Sequence, residues 1–447
     1  MGYYAFARSL LIEHRLDFTK DWQAANTSFR MGRLGEGGNP RPAEYTVTGR
    51  IDNHFAVGPA ILWSPFLIVT HVAVLSYDGL GGKTPADGYS RPYRVAMAFG
   101  TALYGFLALL IAFATARRYV SELSAFLATL GIWFASSLPV YMYFNPSWSH
   151  AHSAFMVALF FLYWRRTGPA RTWSQWVIFG AIGGLMLDVY YLTAILLLMP
   201  LMDSLAEYRL SLRGAGLEPA GRLFMKNVAF AATLFLAFTP TLVTKKLIYG
   251  GYVRLGYREA WYWESPAVFK AAFSADHGLF SWTPILILAV AGLWLLRRHD
   301  RVLSAYLLAV FVLYLYALGC YQNWDGLSSF GNRFFVSLTS IFVLGLAAFF
   351  DWLRQLWGER KAAFASAGAT ALLALWNLGL IFQWGTHLIP ARGPISWREA
   401  AYNQYAVVPS EATRMVKSYV MHRREMMDQI ERDDVKQLKS GDQRGTQ

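Results

Sequence analysis

Two segments of the chain place a basic or imidazole side chain among aromatic residues. His277 opens the run His-Gly-Leu-Phe-Ser-Trp-Thr-Pro, and Arg333 follows Gly331 and Asn332 just before an apolar stretch. An arginine can hold an anion through two parallel hydrogen bonds, so Arg333 is a candidate anion ligand. The alternative is that its side chain reaches to lipid headgroups.

Two histidines stand one residue apart in the run Ser-His-Ala-His-Ser. Residues two positions apart on a helix point to nearly opposite sides, so joint metal binding by His150 and His152 would require extended backbone. We therefore favour hydrogen-bonding histidines and predict no metal site or cofactor, while dependence on a divalent metal stays open.

Four carboxylates are candidates for acid–base chemistry. Asp17 and Asp21 lie in an N-terminal segment rich in aromatic residues, Asp52 precedes His54, and Asp188 stands at a break between two apolar stretches. Ionisable groups in apolar surroundings are costly to bury unless function or pairing holds them there. The simpler alternatives are an acidic turn on a solvated helix, a polar turn, and a salt bridge for Asp188.

The elements that must position these residues are apolar helices. Of 447 residues, 55% are hydrophobic, 17 are tryptophan, and only 15% are charged against about 25% in ordinary soluble proteins. Rings in such numbers suit the two interfaces of a bilayer. This composition excludes a soluble globular enzyme and predicts an all-α polytopic membrane protein in contact with the lipid bilayer.

Ten stretches are apolar enough to predict transmembrane helices in a bilayer core of about 30 Å. They lie at approximately 95–116, 123–144, 151–164, 173–187, 190–204, 227–244, 281–296, 303–319, 334–350 and 362–384. The apolar segment 57–75 contains Pro59, Pro65 and His71, so we predict a pair of short juxtamembrane helices there. Counted instead as a span, it would place residues 1–56 on the cytoplasmic side.

The net charge of +13 is carried largely by loops between apolar stretches, which argues against a nucleic-acid binder. Loops 117–122, 165–172, 205–226, 297–302 and 351–361 hold 15 Lys and Arg in 53 residues, and the opposite loops hold 9 in 74. By the positive-inside rule the first set is cytoplasmic. We thus predict a first outer loop (1–94), a helix bundle (95–384) with outer loops 245–280 and 320–333, and an amphipathic C-terminal tail (385–447).

Several motifs, in their order and sidedness, resemble bacterial GT-C membrane glycosyltransferases of the protein-mannosyltransferase and aminoarabinose-transferase type, family 39. These motifs are Tyr-Tyr-x-x-x-Arg-Ser-Leu at 3–10, Leu-Asp-Phe at 16–18, Gly-Pro-Ala-Ile-Leu-Trp-Ser-Pro-Phe at 58–66, the two histidines, Gly-Gly-Leu at 183–185, the His277 run and Gly-Asn-Arg at 331–333. The resemblance implies a GT-C fold, a polyprenyl-phosphate sugar donor, an acceptor hydroxyl on the outer face of the bacterial cytoplasmic membrane, and inversion at the sugar carbon. The acceptor would be a glycan, a lipid or a protein.

The resemblance also implies roles for individual residues. His277, with Lys270 beside it, would meet the donor phosphate, and Arg333 would contact the phosphate or sugar. His150 and His152 stand where relatives often carry an acid, so their part in donor binding is open. Tyr190 and Gly58 fall near positions that are basic in relatives, and His54 would substitute for one of those missing phosphate ligands.

The base aspartate of the family precedes the Tyr-Tyr segment by a few residues and follows a transmembrane helix. In this sequence both would fall before Met1, so we expect a start codon assigned too late. The alternatives are a truncated chain or a degenerate homologue in which Asp17, Asp21 or Asp52 acts as the base.

The competing function class is a secondary transporter or lipid flippase, which would also combine many spans with the lone intramembrane carboxylate Asp188. The absence of detectable repeats argues against that class. A catalytically inactive GT-C homologue is the third alternative. Nothing in the sequence matches a P-loop or a nucleophile elbow, so ATP-driven transport and serine hydrolysis have no support.

Overall fold

The structure, a computed structural model, describes residues 2–422 apart from 169, 216, 257 and 258, together with scattered positions between 425 and 436. Within these residues the elements are helical. The helices are α1 (Gly2–Ile12), α2 (Thr19–Ala24), α3 (Thr27–Met31), α4 (Gly58–Gly79), α5 (Arg91–Ala116), α6 (Glu122–Phe134), α7 (His150–Thr167), α8 (Trp173–Val189), α9 (Leu198–Leu210), α10 (Leu217–Tyr249), α11 (Val268–Phe273), α12 (Leu279–Trp282), α13 (Ile285–Leu295), α14 (Arg301–Cys320), α15 (Thr339–Trp357), α16 (Glu359–Gly385), α17 (Trp397–Ala406) and α18 (Val408–Met421). Short 3-10 or π-helical segments lie at Pro42–Glu44, Val140–Phe144, Tyr191–Leu197, Ser211–Ala215, Leu296–Arg298 and Arg333–Leu338.

Seven helical segments in the described part of the chain are long and apolar enough to span a membrane. They are Gly58–Gly79, Arg91–Ala116, Tyr191–Gly214, Leu217–Tyr249, Arg301–Cys320, Arg333–Trp357 and Glu359–Gly385. The predicted all-α, multi-pass membrane class is therefore confirmed. Helices α6, α7, α8 and α13 coincide with four more of the predicted stretches but are shorter or less apolar, so the total of ten spans stays a prediction.

The segment 57–75 differs from its prediction, because it forms one continuous helix of 22 residues with Pro65 inside it. The pair of short helices was wrong. Along its length α4 packs against the first half of α5: Trp63 Nε1 donates to Thr101 Oγ1 at 2.9 Å, and His71 Nδ1 lies 2.6 Å from the Tyr93 hydroxyl. This packing compensates for the helical hydrogen bond that a proline cannot donate.

The centre of the bundle is the segment Arg333–Trp357, in which 94% of the apolar window is buried, against 11% in Leu217–Tyr249. Glycines allow its neighbour α13 to approach closely. A Cβ atom on Gly345 would lie 2.2 Å from the carbonyl oxygen of Ala289, and one on Gly292 would meet the Gly345 carbonyl oxygen. Small residues at helix contacts serve this purpose in membrane bundles. Arg333 therefore stands at the start of the most enclosed helix.

Polar contacts gather the loops into two ends of the bundle. At one end Arg165 donates to the Tyr119 hydroxyl at 2.7 Å and to Asp300 at 2.9 Å, and Asp351 accepts from the backbone N–H of Ser121 at 3.2 Å. We call this the Arg165 end and the opposite one the Arg333 end. Loops predicted to share the cytoplasmic side are thus in direct contact with one another at the Arg165 end.

Candidate functional site

Arg333 begins the central helical segment at the Arg333 end. The turn before it contains Gly331 at φ +54°, where a Cβ atom would lie 2.7 Å from Ser137 Oγ, so glycine is required by both backbone and space. The guanidinium group lies over the Trp148 ring, 4.5 Å from its centroid, and Nη1 donates to the Gly326 carbonyl oxygen at 2.5 Å. Among the described residues no carboxylate lies within 4.0 Å of this half-buried guanidinium.

Aromatic and imidazole rings surround Arg333. His150 is buried, with ring contacts to Tyr141 at 4.8 Å and Tyr190 at 5.7 Å, and within the described region its Nδ1 atom has no hydrogen-bond partner. Tyr3 reaches the same place from α1. Burial raises the pKa of its phenol, while a hydrogen bond with Ser149 and the charge of Arg333 oppose the rise. We call Tyr3, Tyr141, Trp148, His150, His277 and Arg333 the Arg333 cluster.

His277 enters the cluster on a loop whose backbone is in the left-handed region, φ 56°. Its buried ring stacks on Trp282 with 4.8 Å between centroids. Burial and then the charge of Arg333 lower the pKa of His277 to about 4, against an interaction with the Ala391 backbone that raises it. His277 is therefore neutral at pH 7, and Arg333 supplies the positive charge. Lys270, predicted beside His277 as a second cation, is exposed on α11.

His152 faces a different environment from His150, as expected for positions two apart on a helix. Its ring lies edge-on to Trp63 at 4.7 Å and 5.3 Å from the Tyr104 ring. In the part of the chain that the structure describes, no group of three or more metal-binding side chains comes together. The two histidines thus contact separate sets of rings.

A second polar cluster holds the segment 46–55 against the end of α10. The buried Lys245 Nζ donates to the carbonyl oxygens of Asn53 at 3.2 Å and Phe55 at 3.1 Å, and the Tyr249 hydroxyl donates to Asp52. Asn53 Nδ2 in turn donates to the Gly2 carbonyl oxygen at 3.0 Å. These contacts position the start of α1, and with it the neighbouring Tyr3.

His54 lies within this second cluster, stacked on Phe55 with 4.4 Å between ring centroids. Burial lowers the pKa of its imidazole to about 4, although the charge of Asp52 opposes the change. His54 is thus neutral at pH 7, and the basic side chain beside it is Lys245. The structure therefore places Asp52 and His54 beside a lysine that sequence reasoning missed.

Asp188 joins α8 to α10. Its Oδ1 atom accepts from the Thr241 hydroxyl at 2.5 Å and from the Thr241 backbone N–H at 3.2 Å. A Cβ atom on Gly58 would lie 2.4 Å from the Asp188 carbonyl carbon, so no side chain fits there. This close approach explains why position 58 is a glycine and why a basic side chain could not occupy it. The alternative of a salt bridge is not found for Asp188 among the described residues; its partner there is a threonine.

The two N-terminal aspartates are engaged locally. Asp21 is fully buried and accepts two hydrogen bonds from Arg8, at 2.7 Å and 2.8 Å, and burial raises its pKa against the opposing charge of Arg8. Asp17 accepts from the Thr19 backbone at 3.0 Å and hydroxyl at 2.7 Å. Burial favours a higher pKa for Asp17, but these bonds and the charge of Arg15 outweigh it and lower the pKa.

Sequence reasoning missed Lys245, Tyr3 and Trp148. Lys245 had a partial signal, because a Lys-Lys pair closes the apolar stretch of α10 and adjacent side chains on a helix point in different directions. Tyr3 and Trp148 had none, since only tertiary packing brings them to Arg333. No protein-family model matches the chain, and no curated protein matches it significantly.

Proposed function

We propose that the protein is a GT-C type membrane glycosyltransferase that moves a sugar from a polyprenyl-phosphate donor to an acceptor hydroxyl, with inversion, at the outer face of the bacterial cytoplasmic membrane. One observation carries the proposal. Arg333 stands at one end of an apolar bundle, half-buried against Trp148, with no carboxylate within 4.0 Å among the described residues. A half-buried cation without a carboxylate beside it suits an anionic ligand such as a lipid phosphate.

The chemistry divides between two groups of residues. As the bond between the sugar carbon and the phosphate oxygen breaks, that oxygen keeps the electron pair, and Arg333 stabilises the charge. His277, neutral at pH 7, contributes a hydrogen bond and no charge. The Trp148 ring lies against the guanidinium, and the Tyr141 ring packs on Trp148 within the cluster.

A general base takes the proton of the acceptor hydroxyl as the new bond forms. Of the three predicted aspartates we favour Asp52 within the described chain. Both oxygens of Asp21 accept hydrogen bonds from Arg8, whereas Asp52 lies beside His54 and Lys245 in the segment that positions α1. The assignment of the base stays a prediction.

The test is transfer of radiolabelled mannose or aminoarabinose from undecaprenyl phosphate in membranes that contain the full chain. Arg333→Ala should lower the transfer rate by about tenfold or more, because one charge-assisted contact to the leaving group is lost. Arg254→Ala, which removes an exposed arginine of the 245–280 loop, is the matched control and should keep the wild-type rate.

Binding of undecaprenyl phosphate in nanodiscs separates the donor site from the choice of sugar. The wild-type protein should bind this lipid, and Arg333→Ala should weaken the binding about tenfold; that result supports the anion site. A wild-type transfer rate in Arg333→Ala would remove that residue from the mechanism. Uptake of a sugar into proteoliposomes without transfer would replace the proposal with the transporter.

A further inference from the structure

Two indole rings stand side by side on the loop that leads into α11. Trp261 and Trp263 are 43% and 55% exposed, yet their rings are nearly parallel, 12° apart, with 5.4 Å between centroids. Large apolar side chains that remain exposed while held in one arrangement call for an explanation by a ligand or a membrane.

The backbone on which these rings stand is fixed to the end of α14. The Tyr262 backbone N–H donates to the Cys320 carbonyl oxygen at 2.6 Å, and that of Gln322 donates to the Ala260 carbonyl oxygen at 3.0 Å. The Tyr316 hydroxyl donates to the Trp263 carbonyl oxygen at 2.8 Å. The rings are therefore ordered in advance, which lowers the entropic cost of binding a ligand on them.

One side of the pair adjoins the Arg333 cluster. Tyr321 packs against Trp261 with 5.1 Å between centroids, and against Phe334, whose ring also lies under the Arg333 guanidinium at 5.1 Å. Burial raises the pKa of Tyr321 to about 12, and the charges of Glu259 and Arg333 both act on it. A molecule seated on the indoles would thus extend toward Arg333.

Among the described residues, the polar side chains that hydrogen-bond beside the indoles are acidic or amide groups. Glu259 and Asn323 hydrogen-bond with Tyr321, and Gln322 Oε1 accepts from the Ala260 backbone N–H at 2.9 Å. Sugars present C–H faces, which suit the negative faces of aromatic rings, and hydroxyls, which suit carboxylates and amides. Aromatic walls with a few oriented polar groups are the ordinary composition of such a site.

An exposed aromatic patch on α11 has a different composition. On α11, Phe269 and Phe273 are 76% and 49% exposed, four positions apart, with the exposed Lys270 between them. Aromatic rings with a lysine suit an anionic membrane surface, whereas Glu259 and Glu264 beside the indole pair disfavour one. The carboxylates therefore favour a sugar over lipid headgroups as the occupant.

We propose that the Trp261–Trp263 pair, with Tyr321 and Glu259, is a binding platform for a saccharide, and that this saccharide is the acceptor in the proposed transfer. The acceptor role rests on the proposed function, whereas saccharide binding does not. The platform selects a glycan from the three acceptor classes of glycan, lipid and protein.

The experiment measures saccharide binding directly, with the full chain in nanodiscs. The probes are mannotetraose, galactotetraose and chitotetraose, detected by saturation-transfer NMR and titration. Wild-type protein should bind at least one probe, and Trp263→Ala should weaken that binding by about tenfold. Trp263→Phe should restore part of it, because a smaller aromatic face remains. Trp357→Ala removes a 50% exposed tryptophan at the Arg165 end and should bind as wild type does.

Two further measurements separate the alternatives. The first is quenching of indole fluorescence by headgroup spin-labelled lipid, which should differ little between wild type and Trp263→Ala. A large loss of quenching in Trp263→Ala would place the platform in the membrane and overturn the proposal. So would equal saccharide binding by both proteins, or no binding of any probe to wild type. Undecaprenyl phosphate binding should survive Trp263→Ala, and its absence from wild type, with saccharide binding retained, would sink the proposed function alone.

Discussion

Two arginines, the buried Arg8 and the half-buried Arg333, differ in whether a carboxylate neutralises their charge. Arg8 donates to both oxygens of Asp21 and to Glu13 at 2.8 Å, and Glu13 also pairs with Lys20 at 2.9 Å. Arg333 contacts a carbonyl oxygen and an aromatic ring, and lies within 4.0 Å of no carboxylate in the described chain.

The difference separates a charge that serves the fold from one left for a ligand. A buried ion pair with satisfied hydrogen bonds holds elements together, and removing one partner leaves an uncompensated charge. An arginine without a counter-ion gains little stability for the protein but keeps its affinity for an incoming anion. Predictions that set the Arg8 network against the Arg333 cluster follow, beginning with the largest expected effect.

Arg8→Leu should lower the free energy of unfolding by about 3–5 kcal/mol, because Asp21 would then be buried without its partner. The measurement is unfolding of the purified protein in detergent, followed by circular dichroism. Arg15→Leu is the control, since Arg15 pairs with Glu13 at the surface and such pairs contribute about 1 kcal/mol or less.

The same measurement on Arg333→Leu sharpens the comparison. Its cost should be about 1 kcal/mol, the value of one hydrogen bond to the Gly326 carbonyl oxygen. A loss as large as that of Arg8→Leu would show that Arg333 also serves the fold, and would remove the contrast.

Lys245→Met should lower the free energy of unfolding by about 1–3 kcal/mol, because two buried carbonyl oxygens lose their donor. The adjacent Lys246 is exposed and donates to the Gly250 carbonyl oxygen, so Lys246→Met is a matched control with a smaller effect. Thermal unfolding and limited proteolysis of the segment 46–55 check the difference. Equal cleavage of the two variants would contradict the role of Lys245 as the anchor of that segment.

The last predictions concern pH. Glu13 has a pKa of about 2 through its hydrogen bond with Arg8, so its stabilisation is complete above its ordinary pKa of about 4.5 and is lost as pH falls toward 2. His277 has a pKa of about 4, chiefly through burial, so the fold loses stability between its ordinary pKa of about 6.5 and pH 4. Glu13→Gln should reduce the change of melting temperature with pH between about 4.5 and 2, and His277→Gln should reduce it between about 6.5 and 4. Identical pH profiles for the two variants would show that the two regions titrate together.

Much of the architecture could be predicted because apolar length is a local property. The apolar stretches, the all-α class and the loops that meet at the Arg165 end all follow from composition and charge. The break in 57–75 was wrong because Pro65 costs a single hydrogen bond, which the packing of α4 on α5 outweighs. Local propensity cannot weigh that gain.

The candidate site was predicted residue by residue but not as a constellation. The charge of Arg333 reaches both His150 and His277, and Asp52 lies near His54. Asp21 is instead paired with Arg8, and Lys270 is exposed on α11. Spacing alone made Asp17 and Asp21 equal candidates for the general base, because spacing shows neither the burial of a side chain nor its ion-pair partner.

The sequence by itself determined that this protein is a membrane protein. Long apolar stretches joined by cationic loops suit a bilayer, whatever contacts the helices make with one another. Only the tertiary structure decided which charges are compensated. Coulomb energy depends on distances of a few ångströms and on local burial, and both are set by residues far apart in the chain. Thus Arg8 and Arg333 are the same residue type in the sequence, but the fold places a carboxylate beside Arg8 and aromatic rings beside Arg333.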